Sequence, residues 1–236
     1  MKRIVFSQMI CYDVPKHERM IFMQDIPIFT TEDGVASLIL KQIPYREQAY
    51  IRVQDVQPEG LNNLIRECVG FCRAAGAEQV FASGHPGLET YPLHTIIYDM
   101  AGEVICNEPP LGRLWPVTEE TVSRWRTIYN ERMKGIDNAA TLSSFDEKQI
   151  LESGGAYFVH DGAELWGIGW LEEDRLLAVA SVKPGMGQSV LEVLMSVCGS
   201  NRLTLEVAST NQRAMRLYES MGFLKTGEKS RWYRVM

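Results

Sequence analysis

The sequence predicts an α/β protein built on a mixed sheet, and three observations carry that prediction. Strand-like and helix-like segments alternate along the chain. A strand–helix–strand pattern occurs twice, which implies parallel pairing within each copy. The 236 residues are 45% hydrophobic and 23% charged, a globular balance that can bury a core without disulfides or metals.

The first copy starts at Ala49–Val56, where apolar and polar residues alternate as in a half-buried strand. After Pro58, Leu61, Leu64, Ile65, Cys68 and Cys72 recur at helical spacing, and Gly76 supplies a stop. Gln79–Ala82 reads as the next strand. In the second copy Leu176–Val182 is the strand. Gln188–Cys198 is the helix, with Val190, Leu191, Leu194, Met195 and Cys198 on one face. Leu203–Ala208 is the following strand. Sliding the chain against itself superposes Val53, Val56, Pro58, Cys72, Ala82 and Ser83 on Val179, Val182, Pro184, Cys198, Ala208 and Ser209 without a gap.

The two halves are expected to part after a Val104–Cys106 strand, in the Pro- and Gly-containing stretch Asn107–Gly112. This gives domains over 1–110 and 113–236. Beyond the linker, Thr118 is expected to cap a helix whose first turn carries Glu119 and Glu120. Trp125, Ile128, Tyr129 and Met133 follow at near-helical spacing. A second short helix is expected from Ser143–Glu147. Tyr157–His160 and Glu164–Leu171, joined at Asp161–Gly162, read as a hairpin. The last helix is followed by an expected pair of strands.

Composition narrows the function. A net charge of −6 argues against a nucleic-acid footprint. No stretch approaches the roughly 18 apolar residues of a membrane span. The apolar run after Met1-Lys2-Arg3 is broken by Gln8, Tyr12 and Asp13, so no signal-peptide core is expected and the cytoplasm is the default location. Cys11, Cys68, Cys72, Cys106 and Cys198 contain no Cys-x-x-Cys pair, which fits a reducing compartment and no metal site. Cys68 and Cys72 read as small buried hydrophobes.

Two segments carry chemistry. In Val182-Lys183-Pro184-Gly185-Met186-Gly187-Gln188-Ser189 a strand ends, two glycines permit close backbone approach, and a helix begins. Free N–H groups and the helix dipole make such a turn an anion site suited to a diphosphate. A tight turn is the plainer reading of a Gly-x-Gly alone. No Walker loop is present, and Val190 stands where a dinucleotide loop would have its third glycine. In the second segment, Leu203, Leu205 and Val207 share one strand face, so Glu206 points to the other. Ser209, Thr210 or Asn211 can cap the next helix. Ala214, Leu217, Tyr218 and Met221 form its buried stripe, Gly222 ends it in the left-handed conformation, and Phe223 packs back.

The string Asn211-x-x-Ala214-x-x-x-Tyr218-x-x-x-Gly222-Phe223 resembles the acetyl-CoA-binding signature of the GCN5-related N-acetyltransferases (GNAT). Gly185-x-Gly187 after a strand resembles that family's pyrophosphate loop. The order of elements over 113–236 is similar as well. Leu205-Glu206-Val207 with Ser209, Asn211 and Tyr218 is similar to the enzymes that acetylate ribosomal-protein N-terminal alanines. The resemblance implies acetyl-CoA as acyl donor, held by Val179, Ala180, Val182, Lys183, Gly185, Met186, Gly187, Gln188, Ser189, Asn211, Ala214 and Tyr218. It implies Glu206 as general base for the acceptor amine, with Glu172, Glu173 and Asp174 as alternatives, and Tyr218 as general acid for the thiolate. A backbone N–H near Val179 or Ala180 would polarise the thioester carbonyl. One departure stands out: the family has Arg or Gln three residues before the first loop glycine, and this chain has Val182 there.

The resemblance thus implies tandem GNAT-like domains, the N-terminal copy degenerate. Pro58-Glu59-Gly60 places a carboxylate where a phosphate would bind. Pro86 and Pro92 exclude the helix that would carry the motif Asn and Tyr. His85 and His94 receive no role. The expected partners are acetyl-CoA and an amine acceptor, either a small molecule or a peptide. A homodimer through exposed sheet edges is an option. The competing class is an acyl-CoA-binding pseudo-acetyltransferase that acts as a sensor or partner-binding module.

Overall fold

The computed structural model describes residues 27–104 and 110–236. The N-terminal segment with Cys11, and residues 107–109 of the expected linker with Ile105 and Cys106, lie outside the described residues. The chain forms a mixed α/β fold in two compact units, one ending at Thr95 and completed by Ser230–Met236, the other spanning Ile96–Lys229. The division falls inside two long strands, each of which contributes its two ends to different units.

In the first unit, β1 (Ile28–Thr30), β2 (Gly34–Ile39) and β3 (Gln48–Val56) pair antiparallel, with the short helix α1 (Ile43–Arg46) before β3. Helix α2 (Leu61–Ala74) then leads to β4 (Gln79–Ser83), parallel to β3 from Gln48↔Gln79 to Arg52↔Ser83. The predicted face is the buried one: Leu64, Ile65, Cys68 and Cys72 pack on Leu38, Ile51 and Val80. Gly76, at φ +100°, ends the helix where only glycine is at ease. After β4 a 3₁₀ turn, Pro86–Thr90, replaces any α-helix, and His85 Nδ1 accepts from Gly87 N at 3.1 Å to start it.

The second unit takes the Ile96–Glu103 part of β5 (Leu93–Glu103). It continues with β6 (Arg113–Pro116), α3 (Val122–Met133), α4 (Asp146–Ser153), β7 (Ala156–His160), β8 (Leu165–Glu172), β9 (Arg175–Ser181), α5 (Gly187–Met195), β10 (Arg202–Ala208) and α6 (Gln212–Ser220). The Leu224–Lys229 part of β11 (Leu224–Arg234) completes it. The strand order is β11-β5-β10-β9-β8-β7-β6.

Three expectations are corrected. Helix α3 begins at Val122, because Thr118 opens a turn instead: its carbonyl accepts from Thr121 N and Val122 N. Helix α5 ends at Met195, short of Cys198. The chain ends in one strand and not a pair, since β11 runs unbroken from Leu224 to Arg234.

Packing places the two faces of the sheet. Val190, Leu191 and Leu194 of α5, Met215 and Tyr218 of α6, and Phe223 bury against Leu203, Leu205 and Val207 of β10. On the α3–α4 side, Trp125 meets Trp170 edge to face at 6.0 Å. Both indole N–H groups are satisfied, by the Tyr157 carbonyl at 3.0 Å and Ser153 Oγ at 2.9 Å. Among the described residues no helix is long and apolar enough to cross a membrane.

Candidate active site

Strand β9 is built to open. It carries a β-bulge against β8 between the pairs Trp170↔Ala178 and Leu171↔Leu176. A bulge adds twist and switches the side to which later amides point. Strand β10 runs parallel to β9 only at Thr204↔Arg175 and Leu205↔Leu176, while it pairs with β5 along its whole length. Beyond Leu176 the two strands have no further paired residues, so the splay leaves one edge of β9 without a strand partner.

The register identifies which backbone groups line that edge. Val182 N donates to the Trp166 carbonyl at 2.8 Å, and Ile168 sits opposite Ala180. Backbone direction alternates along a strand, so the groups of Ala178 and Ala180 face β8 and those of Val179 face the opening. The Ala180 carbonyl indeed lies 2.4 Å from where a Cβ on Gly167 would be. Of the two candidate carbonyl-polarising donors, Val179 N–H is the one on the open side, and Ala180 N–H is turned into the sheet.

The loop after β9 is equally specific. Lys183 O accepts from Met186 N at 3.3 Å, and Ser181 Oγ also donates to it. Gly185 has φ +83°, and a Cβ there would meet nothing within 4 Å. The first helical hydrogen bond of α5 is Val190 N to Met186 O at 2.9 Å. The N–H groups of Gly187, Gln188 and Ser189 therefore have no partner among the described residues and stand at the positive end of the helix dipole. Two glycines that the sequence reading passed over hold this helix in place. A Cβ on Gly167 would sit 2.8 Å from Val190 Cγ2, and one on Gly169 would sit 2.3 Å from Leu194 Cδ1. Bare backbone at both positions lets α5 lie close on β8.

Helix α6 begins at Asn211, whose Oδ1 accepts from Ala214 N at 3.2 Å. That oxygen is engaged as a helix cap, which leaves the amide Nδ2 for other contacts. Ala214 is partly buried against the core. Tyr218 is 6% exposed and lies 5.8 Å from the Phe223 ring, centroid to centroid. Its hydroxyl takes no hydrogen bond among the described residues. Burial pushes its phenol pKa up to about 12, so it stays protonated through the neutral range. Gly222, at φ +86°, and the bond from Phe223 N to Tyr218 O at 3.0 Å close the helix as expected.

Glu206 faces the sheet surface opposite α5 and α6, beside its register partner Asp99. A cavity of about 310 Å³ there is lined by Asp99, Arg175, Thr204, Glu206, Thr226 and Lys229, among others. The carboxylate is not free: Oε1 accepts from Lys229 Nζ at 2.6 Å and also from Arg175 Nη2. Among the described residues Oε2 has no partner. Lys183 is likewise engaged. Its ammonium pairs with Glu164, which raises its pKa. Glu172 ends β8, and Glu173 and Asp174 form the turn before β9, at the opposite end of that strand from the glycine loop. A residue the sequence reading missed reaches the loop from α3: Arg132 Nη2 donates to the Val182 carbonyl at 3.0 Å.

No family model and no curated protein matches the chain. Solved structures match it in fold. A GCN5-related N-acetyltransferase from Anabaena variabilis aligns with a TM-score of 0.59 at 9% identity, over 91% of this chain and 63% of that one. An acetyltransferase of the GNAT family from Colwellia psychrerythraea gives 0.50 at 11% identity, over 89% and 85%. A tandem GNAT protein from the clavulanic acid biosynthesis pathway gives 0.50 at 13% identity, over 88% and 80%. The chain has the GNAT fold. At these identities the likeness is one of fold alone.

Proposed function

We propose that the protein is an N-acetyltransferase that moves the acetyl group of acetyl-CoA to a primary amine. The observation that carries this reading is the opening of β9 from β10 directly before a glycine turn and an uncapped helix start. The residues present fit the donor. Gly185 leaves open space, and the amides of Gly187, Gln188 and Ser189 offer donors to a diphosphate. The β9 edge offers Val179 to an extended pantetheine arm, which adds to the sheet as a strand would. When bound, acetyl-CoA supplies an activated thioester.

The chain's own residues then have distinct tasks. Val179 N–H donates to the acetyl carbonyl oxygen; a preorganised donor of this kind is worth about 3 kcal/mol at a developing negative charge. Glu206, through Oε2 and directly or across one water, takes a proton from the incoming amine. Tyr218, protonated throughout the neutral range, returns a proton to the departing sulfur. The base and the acid belong to opposite sheet faces, so amine and thioester are served from different sides. The spacing of Glu206 and Tyr218, similar to that of N-terminal alanine acetyltransferases, makes peptide N-termini one acceptor class to include. The first unit is a degenerate copy that binds no acyl-CoA.

The test is consumption of acetyl-CoA against a pooled panel of peptides, polyamines, amino acids and aminoglycosides, with products identified by mass. An acetylated amine formed at a rate that depends on the protein is expected. Acetyl-CoA binding without any acetylated product overturns the enzymatic reading.

A further inference from the structure

We infer that Arg132 is the cation of the diphosphate site, supplied by α3 because the loop's own lysine, Lys183, is paired with Glu164; this rests on the acyl-CoA reading above. The α5 start offers backbone donors and a partial charge of roughly half a proton's. A diphosphate brings more negative charge than that, and a full cation beside it is the missing component. Lys183 is the one cationic side chain within the loop, and it is engaged by Glu164, with Asp161 adding to the hold. The Asp161 carboxylate is itself fixed by Ala163 N and Glu164 N, both at 2.8 Å. Lys183 is thus tied to the β7–β8 turn.

Arg132 stands differently. It lies in the last turn of α3, and its Nη2 is tethered to the carbonyl of Val182, the residue that begins the loop. Its other donors, at Nε and Nη1, meet no carboxylate or other acceptor among the described residues. A guanidinium held at one corner with its remaining donors unengaged suits two phosphate oxygens, since its fork matches oxyanion geometry. The side chain is exposed, so its loss leaves the core intact. The tether also predicts which substitution replaces it. A guanidinium grown from position 182 starts at the residue that Arg132 now holds.

The test measures CoA affinity by calorimetry for the wild type, Arg132→Gln, and Arg132→Gln combined with Val182→Arg. Arg132→Gln is expected to weaken CoA on the order of 10-fold, the scale of a charge-assisted contact. That loss should shrink at high salt, and Val182→Arg should recover most of it. A wild type that binds no CoA overturns the acyl-CoA reading and this inference with it. A wild type that binds while Arg132→Gln keeps its affinity within twofold overturns the Arg132 assignment alone. So does a loss that Val182→Arg does not repair, because Arg132 would then be a clamp on the loop and not a phosphate ligand.

Discussion

The β3–α2–β4 and β9–α5–β10 segments follow one plan and differ at the place where a ligand could enter. Strands β3 and β4 stay paired from Gln48↔Gln79 to Arg52↔Ser83, whereas β9 and β10 pair only at Thr204↔Arg175 and Leu205↔Leu176. The starts of the two helices differ in the same sense. At α2, a Cβ on Gly60 would lie 2.8 Å from Asp33 Cβ and 2.9 Å from Asp33 O, and Gln57 N donates to that same oxygen at 2.8 Å. Asp33 fills the approach to the helix start, and a carboxylate there repels an anion. At α5, Gly185 opens onto free space. One unit has closed its strands and filled its helix start with its own side chain. The other leaves a strand edge and three amides available. The difference is the one on which the proposal above rests, that the second segment and not the first takes the acyl donor.

Four experiments would break or sharpen that contrast. The largest effect is expected from Gly187→Glu, which puts a carboxylate among the α5 amides. Calorimetry should show acetyl-CoA binding weakened by 100-fold or more, with little change in melting temperature, since the nearest neighbour of the added Cβ is the flexible end of Leu217 at 3.3 Å. Unchanged binding would remove the α5 start from the donor site. Next, Tyr218→Phe keeps the ring against Phe223 and removes only the hydroxyl. Turnover should fall on the order of 10²-fold, with KM for acetyl-CoA within about threefold. Equal loss of both would make Tyr218 a packing residue.

Glu206→Gln should lower turnover about 10-fold or more. If it lowers melting temperature and spares turnover, the carboxylate serves only its ion pairs with Arg175 and Lys229. The smallest effect concerns pH and belongs to the closed unit. Burial pushes the Cys68 thiol up to about 12, with Cys72 adding to it, and the Cys72 thiol up to about 11. Folded-state values above the ordinary 9.0 mean that the unfolded chain loses these protons first. Their contribution to stability is complete below pH 9 and is lost as pH rises through 11 to 12. Thermal melts from pH 8 to 11 should show the decline, and Cys72→Val should reduce it.

Much of this was legible in the sequence because it is local. The stripe Leu64, Ile65, Cys68 and Cys72, the left-handed stops at Gly76 and Gly222, the Asn211 cap and the glycine turn at Gly185 each depend on a few neighbouring residues. The two prolines after β4 correctly excluded a helix. What escaped depends on partners distant in the chain. Nothing near Gly60 announces that Asp33 packs on it. Nothing near Glu206 announces Arg175 and Lys229, and nothing near Val182 points to Arg132. The bulge in β9 follows from pairing with β8 and leaves no mark in an evenly apolar strand. Gly167 and Gly169 did leave a signal, since glycines on alternate positions of a strand that otherwise reads as apolar indicate a close neighbour.

The most direct test of the contrast is the stoichiometry of acetyl-CoA on the intact chain, measured by calorimetric titration. One molecule bound per chain, lost in Gly187→Glu, is the predicted result. Two molecules per chain, or one that survives Gly187→Glu, would contradict it.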